Sequence, residues 1–234
     1  MLKKIFNLIL LIGMLYSVQT TSNKNPVILN ESLEPACPYD ISCECFEDND
    51  CHNQNCKKTP KGSYCFPRTG DAFPNFTSFN QFNEIFSLHD LSNKGKFVLI
   101  EMAADWCSPC HMLSNWLTFA NNEIKEQVWW KDEYNIIYDL VHNNDVYFIT
   151  VLYEDEFRNN ATYDTVVEWY SNYPEDKIQI LADADKKLHT WLKPSGIPAI
   201  TLVDENMNIL AYTNRGLNVA FDSLLSTFSD TKND

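Results

Sequence analysis

Two cysteines stand two residues apart in Trp106-Cys107-Ser108-Pro109-Cys110. A pair at this spacing can lock as a structural disulfide, supply half of a zinc site, or cycle between dithiol and disulfide. The flanks favour the third. Phe97-Val98-Leu99-Ile100 predicts a buried strand just before the pair, and Leu113, Trp116, Leu117 and Ala120, at i, i+3, i+4 and i+7, predict the inner face of a helix just after it. The pair therefore falls where a strand hands over to a helix N-terminus. Unpaired N–H groups and the positive end of the helix dipole stabilise a thiolate there, and such sites lower a cysteine pKa from about 8.5 to roughly 3.5–7.5. Cys107 is the expected nucleophile, as the exposed sulfur capping the helix, and Cys110 the more buried resolving thiol. A zinc site needs two further ligands. No cysteine follows Cys110, His142 and His189 are far apart, and His111 is poorly placed to join both sulfurs, so no metal is expected.

Other residues carry two readings each. Glu101 is a carboxylate in an otherwise apolar strand: either buried, with a raised pKa that lets it exchange a proton with Cys110, or pointed at solvent by strand alternation. The apolar run around it favours burial on both faces. Trp106 is active-site surface or core, and its place in the motif favours surface. Trp129 and Trp130 are expected to pack rather than to touch substrate. Asn30-Glu31-Ser32, Asn75-Phe76-Thr77 and Asn160-Ala161-Thr162 match the glycosylation pattern, as short motifs do by chance in an Asn-rich chain.

The elements that must position the pair follow from periodicity. Val146 to Leu152 predicts a second central strand, Tyr163 to Tyr173 a helix, and Ile178 to Leu181 a short strand. Leu188, Trp191 and Leu192 mark a helix ended by Pro194 and Gly196. Ala199–Val203 and Ile209–Tyr212 predict a hairpin, and Phe221, Leu224, Leu225 and Phe228 one face of a closing helix. This order predicts an α/β domain over 70–230, a mixed central sheet with helices on both faces.

Composition bounds the rest. Eighteen basic against 32 acidic residues give a net charge of −14, which argues against nucleic acid and an anionic membrane surface as partners. Met1-Leu2-Lys3-Lys4 followed by an apolar stretch to about Val18 predicts a signal peptide over 1–20, too short for a membrane span, with a polar linker over 21–36. An uncleaved anchor is the alternative. No membrane span is expected after signal removal, and the predicted location is exported, periplasmic or extracellular. Cysteine usage agrees. Six of the eight cysteines, Cys37, Cys43, Cys45, Cys51, Cys56 and Cys65, crowd into residues 37–66. So short and polar a segment cannot bury enough surface to fold alone, so a disulfide-rich module is expected. Six cysteines allow 15 pairings. The acidic run Glu47-Asp48-Asn49-Asp50 lacks the periodicity of a calcium loop and reads as solvated.

The chain resembles the thioredoxin superfamily, and within it the TlpA/ResA-type exported thiol–disulfide oxidoreductases. The resemblance rests on Gly70-Asp71-Ala72-Phe73-Pro74-Asn75-Phe76, on Phe86 to Leu91 with Lys94 to Ile100, on Ala104-Asp105-Trp106-Cys107-Ser108-Pro109-Cys110, and on Gly196-Ile197-Pro198-Ala199. It covers about two thirds of the chain and leaves the module over 37–66 outside. It implies a thioredoxin-like fold with an extra strand–helix insert between Cys110 and Pro198. It also implies a cis Pro198 facing the sulfurs, with Ile197 presenting a strand edge to an extended substrate beside Trp106. Thioredoxins hold a buried acid at the place of Glu101, though there it is Asp. The implied activity is disulfide exchange with exported protein thiols, with no cofactor beyond the Cys107–Cys110 disulfide and an unidentified electron donor as second partner. A peroxiredoxin-like peroxidase and a non-catalytic extracellular binding protein are the alternatives. The first would place Thr three residues ahead of the reactive cysteine, where this chain has Ala104.

Overall fold

Two apolar runs without alternation, at 97–103 and 146–152, set the architecture, because strands of that composition need cover on both faces. The computed structural model describes residues 41–230. Its strands are β1 (Cys56–Thr59), β2 (Gly62–Cys65), β3 (Thr77–Phe79), β4 (Ile85–Ser87), β5 (Phe97–Ala103), β6 (Val146–Leu152), β7 (Ile178–Ala182), β8 (Ala199–Val203) and β9 (Ile209–Ala211). Its helices are α1 (Ser108–Phe119), α2 (Asn135–His142), α3 (Tyr163–Asn172), α4 (Lys187–Leu192) and α5 (Asn218–Asp230). The predicted signal, linker and Cys37 lie outside the described residues.

Five strands form one mixed sheet in the order β7-β6-β5-β8-β9, with helices on both faces. β5 runs parallel to β6 and antiparallel to β8, so it is central, and from Val98 to Ala103 every residue is buried. β8 and β9 form the predicted hairpin. β7 follows β6 through α3 and lies at the sheet edge. A bare edge invites pairing with other chains. Here the β3–β4 hairpin covers it: the Gln81 amide donates to the Ile178 carbonyl at 2.8 Å and accepts from the Ile180 N–H at 2.9 Å, as a neighbouring strand would.

One expectation about α1 fails. Ala120 does not continue the buried face. It is the C-cap in left-handed conformation, φ 56°, and is exposed. The helix stops one residue before the apolar periodicity does.

Residues 41–66 carry their own small core of Cys45, Cys51 and Cys65, closed by the disulfides Cys45–Cys56 and Cys51–Cys65. Cys43 is disulfide-bonded too. The sulfurs of Cys45, Cys51 and Cys65 lie within 4.8 Å of one another because two disulfides pack together. Oxidised sulfur offers no thiolate to a metal. The acidic run is exposed yet not merely solvated. The Asp50 carboxylate accepts the N–H groups of Phe46 and Glu47, and Asp48 accepts that of Cys56. The segment also docks on the sheet domain. Ile41 is buried in the main core, Ser42 Oγ donates to the Thr190 carbonyl at 2.8 Å, and the Asn53 amide donates to Asp71 at 2.6 Å.

Candidate redox site

β5 ends at Ala103 and α1 begins at Ser108, so Cys107 falls at the N-cap. Its Sγ accepts the Cys110 N–H at 3.3 Å, one of the donors a helix start leaves unpaired. Pro109 sits in the first turn, where a missing N–H costs little. Cys107 and Cys110 are joined by a disulfide. The expected contrast in exposure is nearly absent: Cys107 is 2% exposed and Cys110 0%. The cis-proline loop, far along the chain, closes over the first sulfur and shares its cavity, which buries it although it caps the helix. What distinguishes Cys107 is that it borders a cavity of about 340 Å³, walled by Trp106, Tyr153 and Gly196-Ile197. Cys110 does not line it.

The Ile197–Pro198 bond is cis, and Ile197 faces the same cavity as Cys107. Pro198 lines the adjoining cavity, with Pro109 and Trp129. Trp106 is half-buried at the surface of the site. Its indole Nε1 donates to Glu154 Oε2 at 2.8 Å, Lys186 holds the other carboxylate oxygen at 2.6 Å, and the Arg158 guanidinium lies 3.8 Å over the ring. Burial would raise the Glu154 pKa, but the hydrogen bonds from Lys186 and Trp106 outweigh it and hold the carboxyl below the usual range. The tryptophan is thus fixed from two sides.

Glu101 is fully buried, which excludes the solvent-facing reading. It sits opposite Thr150 on β6, whose hydroxyl donates to Oε2 at 3.0 Å. Oε1 has no partner. Burial pushes the pKa from 4.5 to about 8, against the weaker pull of the Thr150 hydrogen bond. At neutral pH this carboxyl holds its proton. His111 is engaged elsewhere. Its ring stacks on Trp169 at 4.6 Å, and its nitrogens meet the Asp105 carbonyl and the Tyr173 hydroxyl.

Sequence reasoning missed three residues of the site. Trp129 lines the cavity beside Pro109 and Pro198 rather than serving only as packing, whereas Trp130 does pack, edge-on to Trp116 at 4.9 Å. Tyr153 walls the Cys107 cavity from the end of β6, and Arg215, from the turn after β9, lines the adjoining cavity with Pro198 and Trp129. Tyr153 directly follows a predicted strand, a signal that was present. Trp129 and Arg215 are irregular-loop residues without any.

No protein-family model and no curated protein matches the sequence. Solved structures do. A hypothetical protein from Sinorhizobium meliloti 1021 is similar at 13% identity and TM-score 0.50, over 70% of this chain and 83% of that one. The thioredoxin domain of a thiol-disulfide oxidoreductase from Bacteroides vulgatus aligns at 20% identity and TM-score 0.47, over 70% of this chain and 98% of its own. The pneumococcal exposed lipoprotein thioredoxin from Streptococcus pneumoniae aligns at 18% and 0.46, over 67% and 98%. The strand order β7-β6-β5-β8-β9, with the paired cysteines at the start of the helix after the central strand, has the thioredoxin-like architecture that the resemblance implies. In this thioredoxin-like domain the paired cysteines open the helix after the central strand, and the cis proline precedes the antiparallel hairpin. Among the described residues no helix is long and apolar enough to cross a membrane.

Proposed function

We propose that the protein is a thiol–disulfide oxidoreductase acting on exported proteins through Cys107 and Cys110. The observation that carries this reading is the shared cavity: Cys107, at a helix N-cap, and Ile197, of the cis-proline loop, face the same space. In the reducing direction the Cys107 thiolate attacks a substrate disulfide, forms a mixed disulfide and expels one substrate thiolate. The Cys110 thiolate then attacks Cys107 Sγ, closes the Cys107–Cys110 bond and releases the second thiolate. Two electrons pass to the substrate and both thiolates take up protons. An electron donor outside the chain must restore the dithiol. Glu101, on the strand leading into the site, takes the Cys110 proton during the second step in its ionised form, which becomes populated as pH approaches 8. Trp106, Ile197 and Pro198 bind the substrate as an extended strand, with no N–H at position 198 to compete. No cofactor beyond the cysteine pair is needed.

The reading extends to the whole chain. Residues 1–20 serve as a signal peptide, 21–36 as linker, 37–66 as a structural disulfide module that includes Cys37, and 70–230 as the catalytic domain, in a periplasmic or extracellular setting. Timed alkylation of the reduced protein tests the assignment. Cys107 labels first, because it borders the cavity. Faster labelling of Cys110 would overturn the roles.

A further inference from the structure

The Cys107 cavity is one section of a longer trough. It shares Pro109 and Ile197 with a cavity of about 290 Å³ on one side, and Pro194 and Ser195 with one of about 380 Å³ on the other. The latter is walled jointly by the disulfide module, through Lys61, Tyr64 and Phe66, and by the domain, through His189 and Lys193. The trough therefore runs from the module past Cys107 to Trp129.

Its charge contrasts with the chain's. The net charge is −14, yet the charged side chains lining the three sections, Lys61, Lys193 and Arg215, are all cations. None of the three forms an ion pair with a carboxylate among the described residues. Lys193 instead lies 4.1 Å over the Tyr64 ring, a contact that spans module and domain. Arg215 lies along the cis-proline loop, 3.0 Å from where a Cβ on Gly196 would stand, so glycine there leaves room for it. A fourth cation, Arg158, lies 3.8 Å over the Trp106 ring. The nearby carboxylates do not line the trough, and Glu154, the one beside Trp106, is tied to Lys186 and the indole. Burial, first, pushes the His189 pKa down to about 4; Lys186 adds to this, Glu154 opposes it, and Lys193 and Lys61 contribute less.

We propose that this trough selects protein segments carrying acidic side chains on both sides of the reactive cysteine, and that the disulfide module is one wall of the substrate site. The inference rests on the oxidoreductase reading and adds the class of substrate. Tyr64 and Phe66 supply apolar contact, and Lys61 and Lys193 meet carboxylates on one side of the cysteine. Arg215 meets them on the other. Cations without partners in a channel lined by one sign of charge speed the encounter with an oppositely charged chain and slow it for a like one.

The test uses the full oxidised chain, reduced in the assay by dithiothreitol. The probes are peptides of one length, each with a single cysteine disulfide-linked to a fluorogenic thiol and flanked on both sides by Glu, Gln or Lys. Rates are divided by those with dithiothreitol alone, which removes the intrinsic effect of charge on the disulfide. The neutral small molecule 2-hydroxyethyl disulfide is measured in parallel. At low salt kcat/KM is expected to be roughly tenfold higher for the Glu than for the Lys peptide, the size that a few exposed charge pairs supply. Raising the salt should shrink the ratio. Lys61→Glu/Lys193→Glu and Arg215→Glu should each bring the ratio toward one or reverse it. Because the ratio is taken within one preparation, it is independent of the fraction of a variant that folds. Equal rates on the three peptides, with turnover of 2-hydroxyethyl disulfide intact, would overturn the acidic-substrate proposal alone. A ratio unchanged in both variants would overturn it as well. Concentration-dependent dimerisation abolished by Arg215→Glu would mean that a second copy of this acidic chain fills the trough, and would also overturn it. No turnover of any probe would overturn the oxidoreductase reading beneath it.

Discussion

Replacing Glu101 by glutamine should change how the stability of the oxidised protein depends on pH, and the structure sets the size. The folded-state pKa is raised, from 4.5 to about 8, chiefly by burial. A carboxyl with a raised pKa binds its proton more tightly folded than unfolded. Its contribution is fully present below pH 4.5 and is lost as pH rises to 8, at about 1.4 kcal/mol per unit. Across the window the loss reaches about 5 kcal/mol, an upper figure because a buried carboxylate draws in water and neighbouring dipoles as it ionises. Glutamine keeps the shape and an acceptor for the Thr150 hydroxyl but carries no ionisable proton. The variant should therefore match wild type within about 1 kcal/mol near pH 5 and exceed it by several kcal/mol at pH 9. Urea unfolding of both proteins at pH 5, 6, 7, 8 and 9, disulfides intact, measures the difference. Other groups, among them Asp183, which burial pushes up to about 6, titrate in both proteins and cancel if they do not couple to Glu101. A stability difference that stays flat from pH 5 to 9 would refute the reasoning, because Glu101 would then ionise as easily folded as unfolded.

Further outcomes follow from the same site. In stopped-flow reduction of a disulfide substrate, Glu101→Gln should slow resolution of the mixed disulfide by about 10²-fold, the low end of general-base effects, and should erase the rise in rate as the carboxyl ionises near pH 8. Superimposable profiles would remove Glu101 from the mechanism. Cys110→Ser should accumulate mixed disulfides on non-reducing gels and Cys107→Ser should form none, since only Cys107 borders the cavity. Trp129→Ala should raise KM for peptide substrates several-fold while leaving the redox potential within about 15 mV, because it lines the groove without touching the sulfur pair's cap. An unchanged KM would return Trp129 to a packing role. Cys51→Ala/Cys65→Ala should lower stability by about 2–4 kcal/mol on calorimetry, through loss of a closed loop and of the module's small core.

Local pattern carried most of the frame. β5 and β6 were legible because an apolar run with no alternation needs cover on both faces, and the β8–β9 hairpin because a short polar turn separates two such runs. The Cys107–Cys110 pair was legible because its chemistry depends on a strand-to-helix junction that periodicity on either side reveals. The burial of Cys107 was not. Exposure is a tertiary quantity, and the cis-proline loop that shares its cavity lies far along the chain. Trp129 and Arg215 escaped for a related reason: each sits in an irregular segment with no period to read, and only the sheet's closure brings them beside Pro198. The module's pairing was open among 15 arrangements, and its seat on the domain depends on single contacts such as Ser42 to Thr190, which leave no trace in composition.

Cys107–Cys110 is proposed to be a working redox couple rather than a fixed brace. Its reduction potential, measured by equilibration against glutathione and thioredoxin buffers with alkylation of the two cysteines, tests that claim directly. A catalytic pair should fall between about −120 and −270 mV. A value below about −300 mV, where structural disulfides of secreted proteins lie, would contradict it and make the pair a brace within a binding protein.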